Sequence, residues 1–103
     1  THGRPTGWLV PAEFKERWTL ILGSSREKLP SLLNDLKKVD VFYHDSDHSY
    51  ENMMFEFKEA EKYLASSKVL ISDDVSDTLA FRDFTAARRN RCLVLFKTGI
   101  VKL

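Results

Sequence analysis

Two β-prone apolar runs, each ending on acids, constrain this chain more than any other feature. Val39 to His44 runs into Asp45-Ser46-Asp47-His48, and Val69-Leu70-Ile71 runs into Asp73-Asp74. Between them Tyr50, Met53, Phe57, Ala60 and Leu64 recur on one stripe, the spacing of a buried helix face. Ser49 stands where a helix N-cap belongs, with Glu51 in the first turn. A hydroxyl there satisfies a free backbone N–H, and an acid is favoured by the helix dipole. Strand, helix and strand in this order form a βαβ unit, whose strands lie parallel in one sheet. Both acidic ends then reach the same rim.

The flanks extend the pattern. Trp18-Thr19-Leu20-Ile21-Leu22 reads as a strand closing on Gly23-Ser24-Ser25. A helix follows, with Leu29, Leu32, Leu33 and Leu36 at i, i+3, i+4 and i+7 and Pro30 in its first turn. Ala65-Ser66-Ser67-Lys68 reads as a linker into the Val69 strand. Ala80, Phe81, Phe84 and Ala87 mark a third helix, and Cys92 to Phe96 a further strand. Lys97-Thr98-Gly99 is a turn into Ile100 to Leu103, which returns antiparallel to that strand. Residues 1–17 are punctuated by Gly3, Pro5, Gly7 and Pro11 and read as a loop-rich segment. Within it, Trp8-Leu9-Val10 reads as a short strand or docking edge, and Ala12 to Arg17 as one or two helical turns. The expectation is one α/β domain over residues 1–103, with a largely parallel sheet.

Composition narrows the partners. Sixteen basic and 15 acidic residues leave a net charge of +1, which gives no reason to expect nucleic acid or an acidic membrane. Arg82, Arg88, Arg89 and Arg91 form one local basic cluster, read as a solvated helix end, with a phosphate or polyanion site as the alternative. The single cysteine, Cys92, excludes an internal disulfide and, lying in an apolar run, reads as a buried strand thiol. A free thiol fits a reducing, cytoplasmic setting. No apolar run approaches the ~20 residues of a membrane span, and no signal peptide is visible. A start at Thr1 rather than Met predicts a processed chain or a fragment.

Ligands of open α/β sheets bind beyond the carboxyl ends of the strands. Asp45, Asp47, Asp73 and Asp74 converge there, and neighbouring carboxylates are unfavourable unless a cation, a proton or a base accepts them. Hard oxygen ligands suit Mg2+, Mn2+ or Ca2+. The plainer alternative is that Asp and Ser follow strands because they cap helices and make turns, and Asp47 or Ser49 can be no more than that. His44, closing its strand, reads as packing. His48, at the loop-to-helix junction, reads as ligand, base or hydrogen-bond partner. His2 lies in a loop and is uninformative.

The run Val41-Phe42-Tyr43-His44-Asp45-Ser46-Asp47-His48-Ser49-Tyr50-Glu51 resembles the strand-to-helix segment of class I S-adenosylmethionine-dependent methyltransferases, an apolar strand followed by D-[GS]-D-H-x-Y-E. Leu20 to Pro30 resembles the strand, loop and helix that precede it, and Val69 to Asp74 the next strand with its acidic end. Thr98 to Leu103 resembles the closing antiparallel strand, so the likeness spans roughly residues 18–103. Relatives with such a segment include the cephalosporin-hydroxylase-like, rhamnosyl O-methyltransferase and macrocin O-methyltransferase groups. The resemblance implies a metal-assisted O-methyltransferase acting on a small hydroxylated acceptor. It implies a divalent metal, Mg2+ in the first instance, on Asp45, Asp73 and Asp74, with Asp45 or His48 taking the acceptor's proton. It also implies a Gly23-Ser24-Ser25 loop beside the cofactor's adenine.

The chain departs from this pattern in three places. Ala65 to Lys68 stands where a Pro-Gly-Gly-type turn is usual, and the acidic pair is Asp-Asp, as in some relatives only. With 4 glycines, nothing here matches the family's glycine-rich first loop. The implied fold is therefore the C-terminal part of a Rossmann-like sheet lacking its first two strands, inactive as it stands. The Thr19 strand then either pairs directly with the Val41 strand, or a second chain fills the gap as a homodimer through the open edge, or the chain is a fragment. Two other readings compete. One is a non-catalytic, methyltransferase-like dimerisation or binding module. The other is a Mg2+-dependent haloacid-dehalogenase-type phosphatase, disfavoured because its two acid motifs stand too close and no lysine motif separates them.

Overall fold

The computed structural model describes residues 3–103, and the side chains of all of these except 65–67 and 88–90. The loop position of His2 and the side chains of Arg88 and Arg89 in the basic cluster lie outside the described residues. The elements in chain order are α1 (Ala12–Lys15), α2 (Ser25–Leu36), β1 (Val39–His44), α3 (Tyr50–Glu61), β2 (Leu64–Ser72), α4 (Ala80–Thr85), a 3-10 segment (Ala86–Arg91), β3 (Cys92–Leu95) and β4 (Thr98–Lys102).

The βαβ unit forms as its pattern requires. The Ser49 hydroxyl caps α3 by accepting from the Asn52 N–H, and Met53, Phe57 and Ala60 are fully buried. β1 pairs parallel to β2 from Val41↔Val69 to His44↔Ser72. The sheet runs in the order β1-β2-β4-β3, with β4 antiparallel to both neighbours. The α/β class and the C-terminal antiparallel hairpin thus agree with the sequence reading.

Alternation along the strands separates two faces of the sheet. His44, Leu70, Ser72, Gly99 and Val101 are buried on the inner face, with Met53, Phe57 and Ala60 of α3 and Ala80, Phe81 and Phe84 of α4 in the same core. Gly99 is required there, because a Cβ would stand 2.5 Å from the Phe81 ring. On the outer face Val41, Tyr43, Leu93 and Leu95 stay exposed.

Several expectations are corrected. Trp18 to Leu22 forms no strand. A strand needs a partner ladder, and β1, the nearest strand in sequence, pairs only with β2 among the described residues. The segment instead runs past the start of α2, where Ile21 faces Leu29 and Leu32. Direct pairing of this segment with the Val41 strand therefore does not occur. Trp8 to Val10 is a pair of turns, closed by Trp8 N–H to the Pro5 carbonyl and Val10 N–H to the Gly7 carbonyl. The Trp18 indole covers Gly7, where even a methyl group would collide with it.

Helix α2 starts at Ser25, capped by Ser24, so Pro30 lies inside the helix rather than in its first turn. Ala65 to Lys68 belongs to β2 rather than to a linker, since the pairing of Leu64 with Val39 extends that strand across a register shift. Thr98 and Gly99 lie in β4, which moves the turn to Phe96 and Lys97. Cys92 is only partly buried, because β3 is an edge strand.

Candidate functional site

The parallel ladder sets the geometry of the rim. A hydrogen bond from the Asp73 N–H to the His44 carbonyl (2.9 Å) closes that ladder, so the chain leaves β1 at Asp45 beside the point where it leaves β2 at Asp73. The second loop is anchored from the hairpin, with the Val75 N–H donating to the Lys97 carbonyl (2.8 Å). Asp74 sits in the left-handed region, with φ of 49°. Such a residue costs roughly 1 kcal/mol and persists where the surroundings over-determine it.

Asp45, His48, Asp73 and Asp74 each offer one ligand atom, and these atoms all lie within 4.8 Å of one another. His48 Nε2 is 3.7 Å from the Asp45 carboxylate and 3.6 Å from that of Asp74. It is buried and has no hydrogen-bond partner. The negative potential reaches Tyr43. Its phenol is held above its ordinary value by desolvation first and then by Asp73, Asp45 and Asp74. Asp47 is turned away to a backbone role, its carboxylate accepting from the Ser49 N–H (2.9 Å). Of the four strand-end acids, three thus face one point and the fourth makes a turn.

Next to this cluster lies a cleft of about 400 Å3 lined by Gly23, Ser24, Ser25, Arg26, Ser46, Asp47 and Asn52. An adjoining apolar cleft of about 250 Å3 is lined by Ile21, Leu29 and Leu32 and shares Gly23, Ser24, Ser25 and Ser46. Gly23 adopts φ of 135°, a conformation that favours glycine. The Arg26 guanidinium stacks on Phe55 (4.7 Å to the ring centroid).

The structure adds a group that sequence reasoning missed. His44, 1% exposed, faces Glu56 of α3, 5% exposed, with 3.2 Å between Nε2 and Oε2. The same oxygen accepts from Ser46 Oγ (2.5 Å) and Asn52 Nδ2 (2.6 Å). Burial pushes His44 towards its neutral form, yet the hydrogen bond and charge of Glu56 outweigh it and raise the imidazole above its ordinary value. Burial likewise pushes Glu56 up, and the hydrogen bonds from His44, Ser46 and Asn52 outweigh it and bring the carboxyl below its ordinary value. A signal was present: Glu56 stands at i+3 from Met53, on the stripe that also carries Phe57 and Ala60. His44, read as packing, is buried and also ion-paired.

No helix is long and apolar enough to cross a membrane among the described residues. No curated protein matches the chain. The family described as "Methyltransferase domain" matches residues 2–75, from the loop-rich N-terminal segment through the second acidic strand end. Since the match takes in more than half of the sequence, together with the acid-bearing βαβ unit, the chain belongs to the methyltransferase-domain family.

Proposed function

We propose that the strand-end cluster is a divalent-cation site of an S-adenosylmethionine-dependent O-methyltransferase domain, allied to the cephalosporin-hydroxylase-like and macrocin O-methyltransferase-like groups. One observation carries the reading: three carboxylates and the unpartnered, buried Nε2 of His48 share a point at the rim. Carboxylates this close repel one another without a countercharge, and their oxygens are hard donors fit for Mg2+. In this reading Asp45, Asp73 and Asp74 hold the ion. Bound there, the ion lowers the pKa of an acceptor hydroxyl.

The chain's own residues supply the rest. Gly23, Ser24 and Ser25 form the wall of the polar cleft, and the adenine of S-adenosylmethionine fits against it. Gly23 turns that wall in a conformation that favours glycine, and the hydroxyls of Ser24 and Ser25 offer hydrogen bonds. His48 or Asp45 receives the proton that a hydroxyl group of the acceptor gives up. His48 Nε2 is free to accept it, being engaged by no donor, and it stands 3.7 Å from the Asp45 carboxylate and 3.6 Å from that of Asp74. The acceptor is a small molecule bearing hydroxyl groups. Family membership and the 3.6–3.7 Å approach of His48 to the acids favour this reading over a phosphatase with an aspartate nucleophile.

Calorimetric titration with Mg2+ and Mn2+ tests the site. The wild-type chain binds one ion, and Asp45→Asn weakens binding at least tenfold. Equal heats for the two proteins, or none for either, contradict the assignment.

A further inference from the structure

The buried pair of His44 and Glu56 has a place in the site that its stability does not explain. A buried ion pair is on average no more stabilising than well-packed apolar residues of the same volume. Here the pair lies inside an apolar core, with the His44 ring edge-on to Phe57 at 5.5 Å between centroids. What apolar residues cannot do is hold a polar loop. Glu56 Oε2 takes the Ser46 hydroxyl and the Asn52 amide, and Asn52 Nδ2 also donates to the Asp47 carbonyl (2.9 Å). On the other side, His44 Nδ1 lies 3.3 Å from Ser72 Oγ at the end of β2. The His44 ring meets that of His48 edge-on, with centroids 5.3 Å apart.

One carboxylate oxygen therefore joins the last residue of β1, a side chain of the acid loop, and the helix residue that grips that loop's backbone. We propose that Glu56 and His44 are positioning residues that fix the loop 45–48, so that Asp45 and His48 meet Asp73 and Asp74 at one point while Ser46 and Asp47 close the neighbouring cleft. The proposal rests on the cation reading for its consequence, but the clamp itself is a property of the loop.

Two readouts on the full chain test it. Mn2+ affinity is followed from the paramagnetic resonance of the free ion, and amide hydrogen exchange is followed over residues 45–48. Glu56→Gln keeps the shape and removes the charge. It lowers Mn2+ affinity about tenfold, in the range seen when outer-sphere partners of metal ligands are lost, and speeds exchange in the loop while leaving α4 unchanged. Glu56→Asp, which keeps a carboxylate facing His44, recovers most of both. Ser46→Ala removes one hydrogen bond to Glu56 while leaving the His44–Glu56 contact itself in place, and gives a smaller effect in the same direction. Unchanged affinity and unchanged loop exchange in Glu56→Gln overturn the proposal. Should the wild-type chain take up no Mn2+, the cation reading fails by itself and loop exchange decides. Selective acceleration at 45–48 upholds the clamp, and uniform change or none overturns it. Should Glu56→Gln not fold, Ser46→Ala decides by the same criterion.

Discussion

At the scale of single residues, the His44–Glu56 pair makes the fold sensitive to pH in a defined sense. The imidazole is raised on folding, so its contribution is complete below the ordinary value of about 6.5 and is lost as pH rises through the folded value. The Glu56 carboxyl is lowered, so its contribution is complete above about 4.5 and is lost as pH falls through the folded value. The pair therefore supports the fold fully between about pH 4.5 and 6.5 and less on either side. Urea midpoints measured across pH should peak in that window for the wild-type chain. Glu56→Ala should flatten the profile and lower stability by about 3 kcal/mol, because an imidazole is left buried without its partner. A wild-type profile that rises steadily through pH 8 contradicts this account. Residue-level chemistry was only partly legible in the sequence. The acids announce themselves by following strands, and Asp45, Asp73 and Asp74 do share a point. Glu56 sits mid-helix between Phe55 and Phe57, on the apolar stripe, but the partner that holds its charge there, His44, arrives from another element.

At the scale of elements, local signals served where they were strong. The Ser49 cap, the buried Met53, Phe57 and Ala60 of the α3 stripe and the parallel pairing of β1 with β2 appear where the sequence places them, whereas Tyr50 of that stripe is exposed and Leu64 falls in β2. They failed where pairing overrides propensity. Leu64 to Lys68 has little β character, yet its register with β1 draws it into β2. Trp18 to Leu22 has the composition of a strand and no ladder to join. The β3–β4 hairpin carries an evident strain. Phe96 turns the corner with φ of 56° and is wholly exposed, so its ring returns nothing for a backbone that a bulky residue resists. Phe96→Gly should stabilise the chain by about 1 kcal/mol, read from urea or thermal unfolding. Gly99→Ala, two residues from that turn's end, should destabilise it by about 1–3 kcal/mol, because its methyl meets the Phe81 ring. The opposite sign in either variant shows that the hairpin is wrongly described.

At the scale of the whole molecule, the helices α3 and α4 cover one face of the sheet and join the rim loops to it, while the outer face keeps Val41, Tyr43, Leu93 and Leu95 exposed. The rim gathers the acid cluster, His48 and the two clefts that share Gly23, Ser24, Ser25 and Ser46. That concentration at the carboxyl ends of two parallel strands follows from topology, which is why the place of the site could be read from the sequence before its clamp could. The central proposal is that this rim is the site of a methyltransferase domain, in which a cation and the cofactor bind side by side. Titration with S-adenosylhomocysteine by calorimetry, with and without Mg2+ and repeated on Asp45→Asn, tests it most directly. The account predicts binding that strengthens with Mg2+ in the wild-type chain and loses its metal dependence in Asp45→Asn. A flat trace under every condition, or binding indifferent to both the ion and Asp45, contradicts it.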